Sequence, residues 1–401
     1  MTTERALSGI RVLDLTQFEA GTSCTQFLGW LGADVIKIEP PEGEQARRNR
    51  PEVPGQDAMY FLIFNSNKRS IAIDLKGSGE ARELFVRLAR GSDVVVDNFS
   101  YGAVEALGLG YDVLARENPR LIYLALKGFL PGPYEARPFL DELAQMSAGL
   151  AFMTGPRGQP LRAGASVVDV GAAAYGVIAV LAALQQRART GAGQKITAGL
   201  YETTVFLVGQ WLALHAATGE PSVPMPEIRQ GTRMGWGVYQ LFTAADGEQV
   251  FVGITSNGHW ERFCTEFGLD DLLADARLDD NGKRVAARDW LPGRIAEAMR
   301  RHPSAELAER LDRARVPFAP LRRPDQLVDD PHLNAAGQFV DTPLPGLGIA
   351  KLPKLPVRST AFEFGLRRPA PGLGEHTREV LAEFGLAKDE IDALASRRVI
   401  G

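Results

Sequence analysis

Through its first 130 residues the chain alternates short, β-branched apolar runs with stretches of helical spacing. Strands are predicted at Ile10–Leu15, Asp34–Ile38, Ser70–Leu75, Asp93–Asp97 and Leu121–Leu126. Helices are predicted between them, near Thr22–Leu31, Gly79–Arg90 and Asp112–Glu117. That rhythm implies an α/β fold with a mainly parallel sheet and helices on both faces. In such sheets ligands bind beyond the carboxyl ends of the strands. The loops there read TQFEAG (Thr16–Gly21), EPPEGEQARR (Glu39–Arg48), NFSYG (Asn98–Gly102) and KGFLPG (Lys127–Gly132). None is a dinucleotide fingerprint or a nucleotide-phosphate loop, which counts against both of those enzyme classes.

From Asp141 to Thr218 helical patterning dominates. Gly219–Gly231 then carries three prolines and little periodicity, and reads as a linker or an ordered loop. Val238–Phe242 and Gln249–Ile254 flank an Asp246-Gly247 turn, a hairpin signal. Helical segments follow from Trp260 to about Ala314, and a strand is predicted near Val316–Leu321. Together these predict a small α+β domain. A proline-rich tail (Pro343 to Pro371) leads into a last helix, Glu375–Phe384.

Within the helical stretch, Val170 to Leu184 holds no charge and no side-chain amide. A helix that is apolar all round is buried, which places its first turn at the edge of a core. Asp169 stands at that edge, and two readings of it are open. Ser166-Val-Val-Asp169 fits a capping box, and an acidic residue in the first turn complements the helix dipole. Equally, a poorly hydrated carboxylate at a helix start suits a nucleophile.

Composition narrows the field modestly. The 401 residues suffice for two domains, and 45% hydrophobic with 23% charged residues is ordinary for a globular protein. A net charge of -4 with both signs interspersed gives no nucleic-acid surface. The longest apolar run, roughly fifteen residues, falls short of the roughly twenty that span a bilayer. Glu4 and Arg5 lead straight into a strand without a secretory apolar region. No membrane association is expected, and a cytoplasmic location is. Cys24 and Cys264 make no disulfide framework, and the five histidines show no metal-ligand spacing. No metal is expected.

Lys37, Lys76, Lys127 and Arg137 lie in or just after the strand-end loops. They fit a phosphate-binding rim, or simply a solvated basic one. The segment Glu44 to Arg50 reads as a charged surface loop. Asn98-Phe99 fits a clamp for a purine ring, or a helix cap beside a core aromatic. Gly235-Trp236-Gly237 permits close backbone approach to a ligand, or a tight turn.

Taken in order, several strings resemble the class III (CaiB/BaiF-type) CoA-transferase family, which includes formyl-CoA transferase. They are LSGIRVLDLT with AGT (from Leu7), LGADVIKIEPPEGE (from Leu31), FNSNKRSIAIDLK (from Phe64) and DVVVDNF (from Asp93). They continue with ENPRLIYLALKGF (from Glu117), the Asp169 segment with TGAGQ (from Thr190), and GEHTREVL (from Gly374). The resemblance covers essentially the whole chain. It implies an open, mainly parallel Rossmann-like sheet in a large CoA-binding domain, residues 1–224 with 331–401, and a small α+β domain at 225–330. It also implies an interlocked homodimer in which each chain threads the other.

By that resemblance Asp169 falls on the family's catalytic aspartate, a covalent nucleophile for acyl transfer. Asp169 would attack a donor thioester to give a mixed anhydride and CoA thiolate. The thiolate would return to form an aspartyl-CoA thioester, which the acceptor carboxylate attacks before CoA moves to the acceptor. No cofactor stays bound, since coenzyme A arrives as part of the substrate. Gln17, Phe18, Ile73, Lys76, Asn98, Phe99 and Arg137 match positions lining the family's CoA site, with Lys76 and Arg137 as phosphate partners. The chain departs from formyl-CoA transferase at Pro40 and Ala106, where arginines stand there, and at Glu19, which replaces a glutamine near the acyl site. Met234-Gly-Trp-Gly237 only loosely echoes the family's glycine-rich loop.

The nearest rival implied by the same fold is an α-methylacyl-CoA racemase. That chemistry needs a histidine where Leu140 stands, and leucine carries no proton. A non-catalytic acyl-CoA-binding paralogue is a third reading, against which the intact Asp169 argues. The stretch FLDELAQMSAGLAFMTG (from Phe139) resembles members acting on short dicarboxylic acids. Arg162, Arg229 and Arg233 could then pair with a second carboxylate. Succinyl-CoA is the expected donor, and a C4–C5 dicarboxylate such as mesaconate, itaconate or citramalate the expected acceptor.

Overall fold

The computed structural model describes residues 4–231 and 235–401. Two compact units are present. One takes the chain up to Leu150, Ala163–Gln210 and Pro331–Gly401; the other takes Ala151–Arg162 and Trp211–Asp330.

The first unit is built on six parallel strands: β1 (Arg11–Asp14), β2 (Asp34–Glu39), β3 (Lys68–Ala72), β4 (Val94–Asp97), β5 (Ile122–Lys127) and β6 (Gln194–Gly199). Their order is β3-β2-β1-β4-β5-β6, so the winding reverses between β1 and β4. At such a reversal the loops leaving the two strands diverge and open a crevice at their carboxyl ends. Alternation along the strands loads both faces. Leu13, Ile36, Ile71 and Val95 join a core closed by the helices Gly79–Arg90, Thr377–Glu383 and Lys388–Ser396. Val12, Val35, Val94, Ile122 and Leu124 face the opposite core, with the first helix (Ala20–Trp30) and the long helix (Val167–Thr190).

These two helices lie close together on the sheet. A Cβ on Gly176 would stand 3.0 Å from a Leu124 methyl and 3.2 Å from Cys24 Sγ, so the glycine sets how near the long helix approaches. Its burial corrects the expectation of an all-round buried helix. Val168, Ala172, Ala173, Val177 and Val180 are inside, whereas Val170, Tyr175, Ile178 and Leu181 are exposed, Ile178 by 61%. The sheet covers one side only, and an apolar side remains open in the single chain. By length and composition this helix is apolar enough to cross a membrane, but its inner face packs as a core helix does.

The second unit holds a three-stranded antiparallel sheet of β7 (Val238–Thr243), β8 (Gln249–Ile254) and β9 (Phe318–Pro320). The hairpin turn sits where Asp246-Gly247 predicts it, with Gly247 at φ +83°. Trp260, Phe263, Leu291, Ile295, Leu307 and Leu311 fill the core beneath. Several elements escaped the periodicity, among them the short helices Met59–Leu62 and Ala103–Ala106 and a terminal helix, Lys388–Ser396, beyond the one at Glu375–Phe384 expected to be the last. β6 lies inside the stretch expected to be helical. The segment 219–231, expected to be a linker or loop, contains a helix at Met225–Gln230. The proline-rich tail begins with an antiparallel hairpin, β10 (Phe339–Leu344) and β11 (Gly348–Pro353).

Candidate active site

The crevice at the sheet reversal is defined by the loop after β1. Asp14 Oδ1 accepts hydrogen bonds from the Thr16 backbone N–H (2.8 Å) and hydroxyl (2.5 Å), which turns the chain as it leaves the strand. From the β4 side, Asn98 engages both backbone groups of Gln17. Its Oδ1 accepts from Gln17 N–H at 2.8 Å, and its Nδ2 donates to Gln17 O at 2.7 Å. Asn98 is thus neither a simple helix cap nor a core filler; it clasps the two loops across the crevice. Gly21 makes this possible, because a Cβ there would lie 2.5 Å from Thr16 Cβ and 3.0 Å from Asn98 Cγ. Phe18 follows in the left-handed region, at φ 59°, and the residue is 40% exposed. For a bulky side chain that conformation is strained, so it must be held by its surroundings.

Asp169 lies in the first turn of the long helix and is half-buried. The capping box foreseen around it does not form, since the Ser166 side chain makes no cap bond. Asp141, from the start of the helix Asp141–Ser147, does that work instead. Its Oδ2 accepts from the backbone N–H of Val168 at 2.9 Å and of Asp169 at 3.2 Å. Gln145 Nε2 donates to Asp141 Oδ1 at 2.6 Å, and Gln145 Oε1 accepts from Ala163 N–H at 2.8 Å. A buried carboxylate therefore satisfies the helix start, as the dipole and the orphan N–H groups require. Capping does not demand the Asp169 side chain. Hydrophobic periodicity alone does not single out Asp141 and Gln145. Their signal was an acid–amide pair four residues apart at a helix start.

Tyr60 is tied to the end of the β1 loop. Its hydroxyl donates to Glu19 at 3.2 Å. Burial, then the charge of Glu19, and to a lesser degree that of Asp169, push its phenol well above the ordinary tyrosine range. Tyr60 is therefore a neutral donor at physiological pH, and Glu19, Tyr60 and Asp169 share one electrostatic neighbourhood.

The remaining candidates separate by burial. Lys76 and Arg137 are exposed beyond strand ends, Arg137 stacking over Tyr134 at 3.8 Å. Phe99 is half-buried against the core, and Ile73 is buried within it. Lys37 and Lys127 do not belong to a solvated rim. Lys37 is fully buried and pairs with Glu44 at 3.0 Å, while Lys127 pairs with Asp97 and donates to Phe99 O at 2.8 Å. The expected surface loop from Glu44 to Arg50 is corrected in part: Gln45, Arg48, Asn49 and Arg50 are exposed, but Glu44 and Arg47 are buried, Arg47 against Glu39 at 2.6 Å. In the second unit Gly237 packs on Arg284, and its N–H donates to Asn281. That contact explains the glycine without a ligand. Arg162 is exposed; the Arg229 side chain, Arg233 and Met234 lie outside the described residues.

Comparison with known proteins agrees with this architecture. The model of CoA-transferase family III matches residues 7–377. The chain is 35% identical over 396 residues to a succinyl-CoA:mesaconate CoA-transferase of Haloarcula hispanica, covering 95% of this chain and 97% of that protein. It is 34% identical over 420 residues to a formyl-CoA:oxalate CoA-transferase of Streptomyces coelicolor, covering 99% and 100%. Among solved structures, a CaiB/BaiF family protein from Brucella suis superposes with a TM-score of 0.84 at 32% identity, covering 95% of this chain and 100% of that one. With a Rossmann-type strand order, a clasped crevice and family similarity from end to end, the chain belongs to CoA-transferase family III and is a CoA-transferase.

Proposed function

We propose that the enzyme moves CoA from succinyl-CoA to a C4–C5 dicarboxylic acid such as mesaconate, itaconate or citramalate, with Asp169 as the covalent nucleophile. The carrying observation is the division of labour at the long helix. Asp141 supplies the cap, so a second carboxylate in that first turn is not needed to hold the helix. The Asp169 oxygen attacks the thioester carbonyl, the C–S bond breaks, and CoA leaves as thiolate. The thiolate attacks the aspartyl carbonyl of the mixed anhydride and releases the donor acid as carboxylate. The acceptor carboxylate then attacks the aspartyl-CoA thioester, expelling thiolate again. Attack of that thiolate on the acceptor carbonyl forms the new acyl-CoA and frees Asp169. Every step exchanges one acyl bond for another, so no net proton or redox equivalent is consumed.

Gln17, Phe18, Ile73, Asn98 and Phe99 serve the CoA moiety along the crevice, and Lys76 and Arg137 meet its phosphates. Coenzyme A comes and goes as substrate, with no resident cofactor or metal. The large domain, 1–224 with 331–401, binds CoA, and 225–330 forms the small domain. A second copy covers the open apolar side of the long helix in an interlocked homodimer. The setting is the cytoplasm, without nucleic-acid or membrane partners. Support for the substrate class comes from the Haloarcula relative named for succinyl-CoA and mesaconate. The test is a screen of free acids against succinyl-CoA and acetyl-CoA with the parent enzyme and Asp169→Ala. Dicarboxylates should give new CoA esters with the parent only. Transfer at the parent rate by Asp169→Ala would refute the nucleophile, and a preference for monocarboxylates would refute the acceptor class.

A further inference from the structure

We infer that Glu44, with Lys37 behind it, is a positioning residue that holds the loop Thr16–Glu19 in its acyl-CoA-receiving shape; the inference rests on the crevice being the acyl-CoA site. Three observations carry it. The Glu44 side chain is 1% exposed and its Oε2 accepts from the backbone N–H of Phe18 at 3.1 Å. Phe18 is a left-handed, non-glycine residue, so its backbone needs an external hold, and this is the bond that addresses its N–H. Lys37, 0% exposed, then ties the same loop from beneath, donating to Thr16 O at 2.8 Å while it pairs with Glu44 Oε1 at 3.0 Å.

The cost of this arrangement argues for a role beyond stability. Two charges are taken fully out of water, and a buried pair of this kind is often no better for folding than apolar residues of similar size. What the pair adds here is geometry. Burial alone would lower the Lys37 pKa, but Glu44, Asp14 and Glu39 overcome it and keep the lysine charged. The strap carrying Glu44 is itself anchored: Glu44 N–H donates to Glu39 Oε2 at 3.3 Å, and Arg47 binds Glu39 while stacking over Phe61 at 3.7 Å. The far side of the loop is held by Asn98, so Gln17, Phe18 and the start of Glu19 are fixed between a β4 clasp and a buried carboxylate. Fixing them fixes the exposed Phe18 and the buried Glu19 carboxylate that receives Tyr60.

The test separates reach from charge. Glu44→Asp keeps the negative charge beside Lys37 but withdraws the acceptor from Phe18 N–H by one methylene. Glu44→Gln keeps the reach and an acceptor oxygen but loses the charge. Both are measured for KM of acyl-CoA, kcat and thermal unfolding, together with Glu44→Ala. Holding predicts that Glu44→Asp raises KM for acyl-CoA by about tenfold, the scale of one lost hydrogen bond, and Glu44→Gln by no more than about threefold. The KM for the acceptor acid should move less than that for acyl-CoA. A purely structural role predicts the reverse ranking, or a lowered active fraction with both KM values unchanged, and either result overturns the inference. Should Glu44→Ala not fold, the Asp and Gln pair still decides. If the parent enzyme never transfers CoA, the functional reading fails instead, and the two failures are told apart by that single control.

Discussion

At the residue scale the account turns on which carboxylate does which task. Asp141 accepts two backbone N–H groups and a side-chain amide, the bonds from Val168 and Gln145 buried and that from Asp169 partly so. Replacing it with alanine leaves those donors unsatisfied, at about 1–3 kcal/mol for each buried group. Asp141→Ala should therefore lower the melting temperature and cut kcat by at least about tenfold through displacement of the Asp169 turn. Asp141→Asn, which retains an acceptor, should recover most of the stability. Melting curves and initial rates on the same preparations check this. Gly21 makes a sharper prediction, because a Cβ there meets Thr16 at 2.5 Å and the Asn98 side chain next to it. Gly21→Ala should lower the melting temperature by displacing the buried Thr16, and weaken acyl-CoA binding of the folded fraction by about tenfold or more, the cost of breaking the Asn98–Gln17 clasp. Unchanged acyl-CoA binding by calorimetry would contradict the clasp.

At the scale of elements, strands β1 to β5 were legible because their β-branched, apolar runs are bounded by turn residues. The helices Ala20–Trp30, Gly79–Arg90 and Tyr111–Glu117 were legible too, but the short Met59–Leu62 and Ala103–Ala106 and the terminal Lys388–Ser396 were not. β6 was not: Gln194-Lys-Ile-Thr-Ala-Gly199 alternates weakly and follows a 24-residue helix, and pairing with β5 defines it. The loop chemistry is hidden from the sequence for a physical reason. A run of charges looks solvated in sequence, yet Glu39, Glu44, Arg47 and Lys37 neutralise one another inside the fold. The Asp14–Lys68 pair is buried in the same way at 2.9 Å.

That network makes a pH prediction. Burial alone would raise the pKa of Asp14, but Lys68 and Lys37 outweigh it; burial would also raise Glu39, but Arg47 and Lys37 outweigh it. Both folded values lie below the ordinary 3.8 and 4.5, so their stabilisation is complete above that range. It is lost as pH falls through the lower, folded values. The melting temperature should hold from neutrality to about pH 5 and drop steeply below about pH 4. Asp14→Asn should cost about 3–5 kcal/mol at neutral pH by stranding Lys68. In urea unfolding, a loss below about 1 kcal/mol would contradict the pairing, since an exposed ion pair is worth no more than that.

At the scale of the whole molecule, the long helix leaves Val170, Tyr175, Ile178 and Leu181 exposed beside Phe206, itself 73% exposed. A contiguous apolar face of this kind marks an interaction surface. The proposed homodimer predicts a sedimentation mass of two chains, and Ile178→Asp should shift it toward one chain or aggregate. A parent protein sedimenting as a stable monomer would contradict the dimer. The membership in CoA-transferase family III was legible from ordered strings along the chain, whereas the identity of the acids it joins to CoA is not written in any one of them.

The most direct measurement is the mass of the enzyme caught in turnover. Protein incubated with succinyl-CoA and trapped with hydroxylamine or borohydride is digested and sequenced by mass spectrometry. The account predicts modification at Asp169 in the peptide following Arg162, absent when donor is omitted and absent in Asp169→Ala. Sustained transfer of CoA with Asp169 never modified, or with the adduct on another residue, would contradict it.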